Sequence, residues 1–199
     1  MNLSCSAMML GERPLTDAFA LAKESGFDGI DLRGDLIRHH ISEIQDLIRQ
    51  TGLPVPTVYG RITVPLLART LRERGESLEL IRSRLRDAAA ISASNLIVVP
   101  VFGEARVTVD RGEGVAEIEE ALLLMLLSEL VSNAESAKVR ITLEPLNRGE
   151  THLLVSPTTA ARLTRGKSCS RASRQARSVG SIGPPRSRIS GYQAPECGR

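Results

Sequence analysis

The stretch ITLEPLNRGETH, residues 141–152, carries the chain from a predicted strand into a loop that is dense with polar groups. The strand spans Arg140–Leu143, where apolar and polar residues alternate, and Glu144 follows it directly. The loop then adds an amide, a guanidinium, a second carboxylate and an imidazole, at Asn147, Arg148, Glu150 and His152. This concentration on one loop indicates a functional site at the end of the strand.

Working outward from this stretch, residues 2 to about 160 form repeated strand-then-helix units. Apolar runs bounded by turn residues predict strands at Leu3–Met9, Gly29–Leu32, Val55–Tyr59, Asn95–Val101 and Arg140–Leu143. Helical spacing of apolar residues predicts the helices between them. These run from Leu15 to Gly26, through Ile41 and Ile48 to Gly52, across Leu78 to Ala89, from Gly112 to about Ala137 and over Thr158–Leu163.

Alternating strands and helices predict a parallel sheet, because parallel neighbours need crossover connections. Both a doubly wound open sheet and a (β/α)8 barrel have this pattern. A dinucleotide-binding fold would carry a G-x-G-x-x-G turn after the first strand, whereas this chain has Met9-Leu10-Gly11-Glu12. The dinucleotide-binding fold is therefore disfavoured.

The composition predicts an aliphatic core, since aromatic residues make up 3% of the 199 residues and Trp is absent. The longest apolar run, Ala121–Leu127, falls far short of the ~20 residues that cross a bilayer. The N-terminus lacks a basic region followed by an apolar block, so we expect a cytoplasmic protein with no membrane contact. Cys5, Cys169 and Cys197 are far apart and predict free thiols.

The last 35 residues differ in character from the rest of the chain. Residues 165–199 carry eight basic residues and one acid, a net charge of +7, whereas the preceding 164 residues hold 18 basic and 22 acidic groups, a net charge of −4. The segment is rich in Arg, Ser, Gly and Pro and has no apolar period, which predicts disorder. We therefore expect two regions, an α/β domain over residues 1–164 and a basic tail over residues 165–199.

Three segments in succession, ESGFDGIDL, NLIVVPVFG and ITLEPLNRGETH, resemble the xylose-isomerase-like TIM-barrel superfamily. The third is similar to the E-P-x-N-R-x-E segment that follows the fifth strand in its sugar phosphate isomerase/epimerase branch. The resemblance covers about residues 2–164 and implies a partial (β/α)8 barrel of about five units. It also implies metal-assisted proton transfer on a ketose or a related polyol.

The resemblance implies roles for particular residues. Glu144 would be both a ligand of a divalent metal (Mn, Mg, Co or Zn) and a proton-transfer group, and Glu150 would lie near the substrate hydroxyls. We expect further contacts to a small-molecule sugar from Asn147, Arg148, His152 and, at the end of the second strand, Asp31. Tyr59 and Phe102, at the ends of the third and fourth strands, are candidates for the pocket wall.

The family completes its metal site with an Asp, a His and a Glu from later strands, and those have no counterparts beyond residue 165, where Glu196 is the sole acid and His is absent. Five units of about 33 residues also fall short of the ~250 residues of a full barrel. We expect a reading-frame shift or a rearrangement near Arg165. The chain is then expected not to retain the metal and to be inactive on its own.

Two other functions stay open at this point. A metal-dependent nuclease like the endonuclease-IV group would need a cluster of His and acidic ligands, which the three histidines of the chain disfavour. The basic tail could instead make the protein a polyanion binder without sequence specificity, since an Arg-rich segment attracts polyanions through counterion release. Five strands would also leave unpaired sheet edges, which predicts self-association.

Overall fold

Five parallel strands lie side by side in chain order in a computed structural model, which describes residues 2–105 and 114–165. The strands are β1 (Ser4–Ser6), β2 (Gly29–Arg33), β3 (Thr57–Tyr59), β4 (Asn95–Val98) and β5 (Arg140–Leu143). Pairing aligns Ser6 with Asp31, Leu32 with Val58, Leu96 with both Val58 and Ile141, and so on across the sheet. The α/β class with a partial barrel of about five units is therefore confirmed.

Helices connect the strands at the expected places. They are α1 (Leu15–Glu24), α2 (Gly34–Thr51), α3 (Leu71–Ala90), α4 (Val115–Ala137) and α5 (Pro157–Arg165). Gly52 ends α2 in the left-handed conformation, with φ at 70°, which glycine adopts without a side-chain clash. A capping box begins α3, in which Thr70 Oγ1 accepts from the Glu73 amide and the Glu73 carboxylate accepts from the Thr70 amide.

Several predicted boundaries differ from the structure. Strand β3 begins at Thr57 rather than Val55, and β4 ends at Val98 rather than Val101. The first strand ends at Ser6 rather than Met9, because Ala7–Leu10 forms a 3-10 helix whose Met8 amide donates to Ser6 Oγ at 3.3 Å. Helix α2 begins at Gly34, before the first predicted helical residue Ile41, so it contains His39 and His40 and has a kink at His40 (φ −130°).

The core lies between the sheet and the helices. Alternate residues of each strand point to opposite faces, so Ile30 and Leu32, both without exposed surface, pack toward the helices while Asp31 lies on the other face. Leu96 and Val98 repeat this pattern in β4. As expected, the core is aliphatic around Phe19.

Helix α4 faces the core through residues other than those expected. The sequence pattern placed Ile118 and Met125 inward, yet both are about half-exposed, whereas Leu123, Leu130 and Glu119 are fully buried. The run of leucines is apolar all round the helix, so its periodicity does not define one buried face. The burial of the Glu119 carboxylate could therefore not be predicted from the sequence pattern.

Strands β1 and β5 each have a single strand neighbour in the described part of the chain. Self-association through these edges stays a prediction. No helix within residues 2–105 and 114–165 combines the length and the apolar character that crossing a membrane requires.

Candidate functional site

A pocket of about 380 Å³ opens at the carboxyl ends of the strands. This is the end of the sheet at which enzymes with this architecture place their active sites. Its wall consists of residues at the carboxyl ends of β3 and β4 and of residues that follow β1, β3, β4 and β5. They are Met8, Tyr59, Gly60, Arg61, Ile62, Thr63, Ile97, Val99, Phe102 and Glu144.

Glu144 supplies a carboxylate to this pocket. Its amide donates to the Val98 carbonyl at 3.1 Å, which continues the pairing of β5 with β4 by one residue and fixes where the side chain begins. The residue is half-buried. Burial raises the pKa of the Glu144 carboxyl, and the nearby charge of Glu150 raises it further. A carboxyl with a raised pKa at the wall of a pocket is better suited to holding and returning a proton than an ordinary exposed carboxylate.

The loop after Glu144 is held by its own hydrogen bonds. The side chain of Asn147 makes two of them. Its Nδ2 donates to the Glu150 carboxylate, and its Oδ1 accepts from the Gly149 backbone amide at 2.9 Å. Asn147, Arg148 and Glu150 are exposed and do not line the pocket. Glu150 acts on the site through its charge on Glu144, and the substrate contacts predicted for these three residues stay predictions.

His152 also lies outside the pocket wall. Its Nδ1 is 2.8 Å from the Gly103 carbonyl oxygen and its Nε2 contacts the Glu119 carboxylate. The structure therefore places His152 between the loop after β4 and helix α4.

Asp31 lies on the face of β2 opposite Ile30 and Leu32 and is not among the residues that line the pocket, so its predicted substrate contact stays a prediction. Ser4 Oγ donates to Asp31 Oδ2 at 2.9 Å, while the buried Oδ1 has no hydrogen-bond partner among the described residues. Burial raises the pKa of the Asp31 carboxyl, and the hydrogen bonds from Ser4 and Thr57 oppose that rise. The hydrogen bonds to ionised Asp31 therefore do not fully offset the cost of burying its negative charge in the folded protein.

Replacing Asp31 by asparagine should therefore stabilise the protein at neutral pH. A raised folded-state pKa gives stability that is complete below the ordinary Asp pKa of about 3.9 and is lost as the pH rises through the folded-state value. Asn does not titrate and can still accept from Ser4 Oγ. Urea unfolding at about pH 3 and about pH 7 should show the advantage of the variant growing with pH. An advantage that is constant with pH would contradict this.

Several pocket residues escaped prediction. Tyr59 and Phe102 do line the pocket, but so do Arg61, Thr63 and Met8. Arg61 adopts φ +49°, a left-handed conformation that is uncommon for a residue other than glycine. The sequence signal that could have found Arg61 is its position directly after β3 and Gly60, at the end of the sheet where the pocket lies.

Metal donors do not gather in the described part of the chain. No group of three or more His, Cys, Asp or Glu side chains comes together there. All three histidines of the chain lie in this part, His39 and His40 on α2 and His152 against Glu119, and none of them lines the pocket. The residues present at the pocket do not fit a divalent metal, which takes about four to six ligands.

Comparisons with known proteins agree with this architecture. The chain is 26% identical over 142 residues to 3-dehydro-D-guloside 4-epimerase of Escherichia coli K12, a match that includes 70% of this chain and 54% of that enzyme. The matched region thus spans about half the length of this relative.

Solved structures share the fold. The apo form of 3-keto-D-glucoside 4-epimerase from E. coli has a TM-score of 0.74 at 24% identity, covering 84% of this chain and 65% of that one. The IolI protein, solved with a bound zinc atom, has a TM-score of 0.68 at 17% identity, covering 83% and 58% respectively.

The family model described as xylose isomerase-like TIM barrel matches residues 19–171, well over half of the chain. Together with the parallel sheet in chain order and the pocket at its carboxyl end, this match shows that the chain belongs to the xylose isomerase-like TIM barrel family.

Proposed function

We propose that this chain binds a sugar in its pocket and that Glu144 exchanges a proton with the carbon next to the sugar carbonyl. This exchange is the first half of the reaction of a sugar epimerase or isomerase. The observation that carries the proposal is the half-buried Glu144 carboxyl in the pocket wall, with a pKa raised by burial and by Glu150. The similarity to the enzyme named 3-dehydro-D-guloside 4-epimerase supports the choice of substrate class.

The pocket suits a monosaccharide in size and lining. Its volume of about 380 Å³ lies in the range of small-molecule sites. Tyr59, Arg61 and Thr63 offer groups that hydrogen-bond to sugar hydroxyls or to a carbonyl oxygen. Ile62, Val99 and Phe102 offer apolar surface to the carbon-bound hydrogens of the ring.

The number of carboxylates limits which part of the reaction this chain can perform. Inversion next to a carbonyl requires one group to remove the proton and a second group to return it on the opposite face. Among the described residues that line the pocket, Glu144 is the sole acid. A single group removes and returns the proton on the same face, so we expect proton exchange with the solvent and no detectable epimerisation.

A divalent metal would normally strengthen such a site by polarising the carbonyl. A zinc atom is present in the IolI structure. Here Glu144 would be one donor, and the described residues do not supply the others, so the proposed exchange uses Glu144 alone.

The test is to incubate the purified chain with a 3-keto-glucoside or a ketohexose in deuterium oxide and to follow the proton next to the carbonyl by NMR. We expect this signal to decay faster than in buffer while no epimer accumulates. Parallel samples with Mn²⁺ or Zn²⁺ measure any contribution of metal. A decay equal to that in buffer in all samples would overturn the proposal.

A further inference from the structure

His152 is enclosed by two hydrogen-bond acceptors. The Gly103 carbonyl oxygen is 2.8 Å from Nδ1, and the Glu119 carboxylate contacts Nε2. A neutral imidazole carries one N–H and could satisfy only one of these acceptors, whereas an imidazolium donates to both. Opposite an ionised Glu119, these two acceptors suit a ring that carries a proton on each nitrogen.

The partner of His152 is a carboxylate removed from solvent. The Glu119 side chain has no exposed surface, and that of His152 retains 23%. A buried carboxylate is costly unless a positive charge or several donors compensate it. A protonated His152 would supply a positive charge in direct contact with this carboxylate.

The pair lies at a junction between two loops that border the pocket. The Gly103 amide donates to the Glu150 carbonyl at 2.7 Å, and buried Thr151 Oγ1 donates to the Val101 carbonyl at 3.0 Å. Residues 150–152 are thus attached to residues 101–103, and Phe102 within that second segment lines the pocket.

We propose that His152 and Glu119 form a buried ion pair that positions the loop after β5 against α4 and the loop after β4. His152 is a positioning residue in this role, and it reaches the pocket through Gly103 and Glu150. The ion pair stands on the geometry alone, whereas its effect on proton exchange rests on the proposed function.

The first test reads the protonation of His152 directly. Nitrogen-15 NMR of the full chain at neutral pH is expected to show protons on both ring nitrogens of His152. His40 is the matched control, because its Nδ1 contacts Glu43 at 2.7 Å while both side chains remain 42% exposed. A His152 ring with one unprotonated nitrogen would overturn the ion pair.

The second test measures the coupling between the two residues. His152→Gln and Glu119→Gln each remove one member of the pair, whereas the double variant removes both. We expect the two effects on the unfolding equilibrium constant to be non-additive by about tenfold or more, and the His40→Gln and Glu43→Gln pair by less than about fivefold. Additive effects at His152 and Glu119 would overturn the proposal.

The third test asks whether the pair holds the loop, by amide hydrogen exchange in native conditions. In His152→Gln the Gly103 amide, which donates to Glu150, should exchange about tenfold faster or more, while the Glu144 amide, which donates to Val98 within the sheet, should change little. Equal protection of Gly103 in both proteins would contradict a positioning role.

In the sugar assay, His152→Gln should lower kcat more than it raises KM. Absence of sugar turnover in the unmodified chain would count against the proposed function alone.

Discussion

Replacing Glu144 by glutamine should slow proton exchange on a keto sugar by about 10²-fold or more, the usual contribution of a general base. Gln has nearly the shape of Glu and keeps a polar group at the pocket wall, but it cannot accept the proton. The initial rate of deuterium incorporation, measured by NMR at saturating sugar, gives the effect. Glu24→Gln, on the exposed end of α1, is the matched control and should keep the full rate. An exchange rate in Glu144→Gln within a few-fold of the unmodified chain would exclude Glu144 as the base.

The pH dependence of exchange provides an independent check on Glu144. A base works in its ionised form, so the rate should rise with pH through the pKa of Glu144. Glu150 raises that pKa by its charge. In Glu150→Gln the rise should therefore move to lower pH, and an unchanged profile would show that Glu150 does not act on Glu144.

The substitution Glu144→Gln should not weaken the fold. The raised pKa of Glu144 means that its contribution to stability is complete below the ordinary Glu pKa of about 4.3 and is lost as the pH rises through the folded-state value. Glu144→Gln avoids this loss and should be at least as stable as the unmodified chain at neutral pH. Lower activity together with equal or higher stability is the pattern of a functional residue, because functional sites often retain groups that are unfavourable for folding.

Gly60→Ala should destabilise the protein by about 1–3 kcal/mol, the usual cost of overpacking. A Cβ at Gly60 would lie 2.7 Å from the Ile97 carbonyl oxygen, the same oxygen that accepts the Gly60 amide at 2.9 Å. This oxygen belongs to the backbone of β4 and cannot turn away as a flexible side chain would. The carboxyl ends of β3 and β4 must therefore separate, which also moves the pocket wall.

Gly75→Ala is the control for the same chemical change. Gly75 lies within α3, and a Cβ there meets no heavy atom within 4 Å. Alanine in an exposed helix is favoured over glycine by roughly 0.5–1 kcal/mol, so this variant should gain stability. Urea unfolding followed by circular dichroism measures both changes, and destabilisation of Gly75→Ala together with a neutral Gly60→Ala would contradict the structure.

The fold was predictable because its signals are local and repeated. The run Asn95–Val98 is rich in β-branched residues, and Gly26 and Gly52 end their helices as expected. Boundaries were harder where two structures compete for the same apolar residues. Met8 and Met9 extend the apolar character of β1 but belong to the 3-10 helix, because the Ser6 side chain caps it.

The site was predictable only where residues are adjacent in the chain. Glu144 follows β5 directly, so its place at the end of the sheet could be inferred. Arg61 enters the pocket through a left-handed backbone conformation that its residue type disfavours. The contact of His152 with Glu119 joins residues 33 positions apart in the chain. Glu119 lies on α4, where leucines occur all round the helix, so the apolar pattern does not show which face is buried. No local pattern encodes such a contact.

Several expectations stay predictions. The division of the chain after residue 164, the reading-frame shift and the polyanion binding concern residues that largely lie outside the described ranges. The nuclease alternative has no metal-binding group of three or more side chains within residues 2–105 and 114–165 to support it.

The order of the strands has a consequence for how the chain folds. Each described strand pairs only with strands adjacent to it in chain order, and the described sheet has no pairing between distant strands. Contacts between near neighbours in sequence cost little loop-closure entropy and form early. Each new unit can therefore dock on the edge that the previous unit has just completed, and the sheet can grow from the N-terminus while the ribosome is still extending the chain.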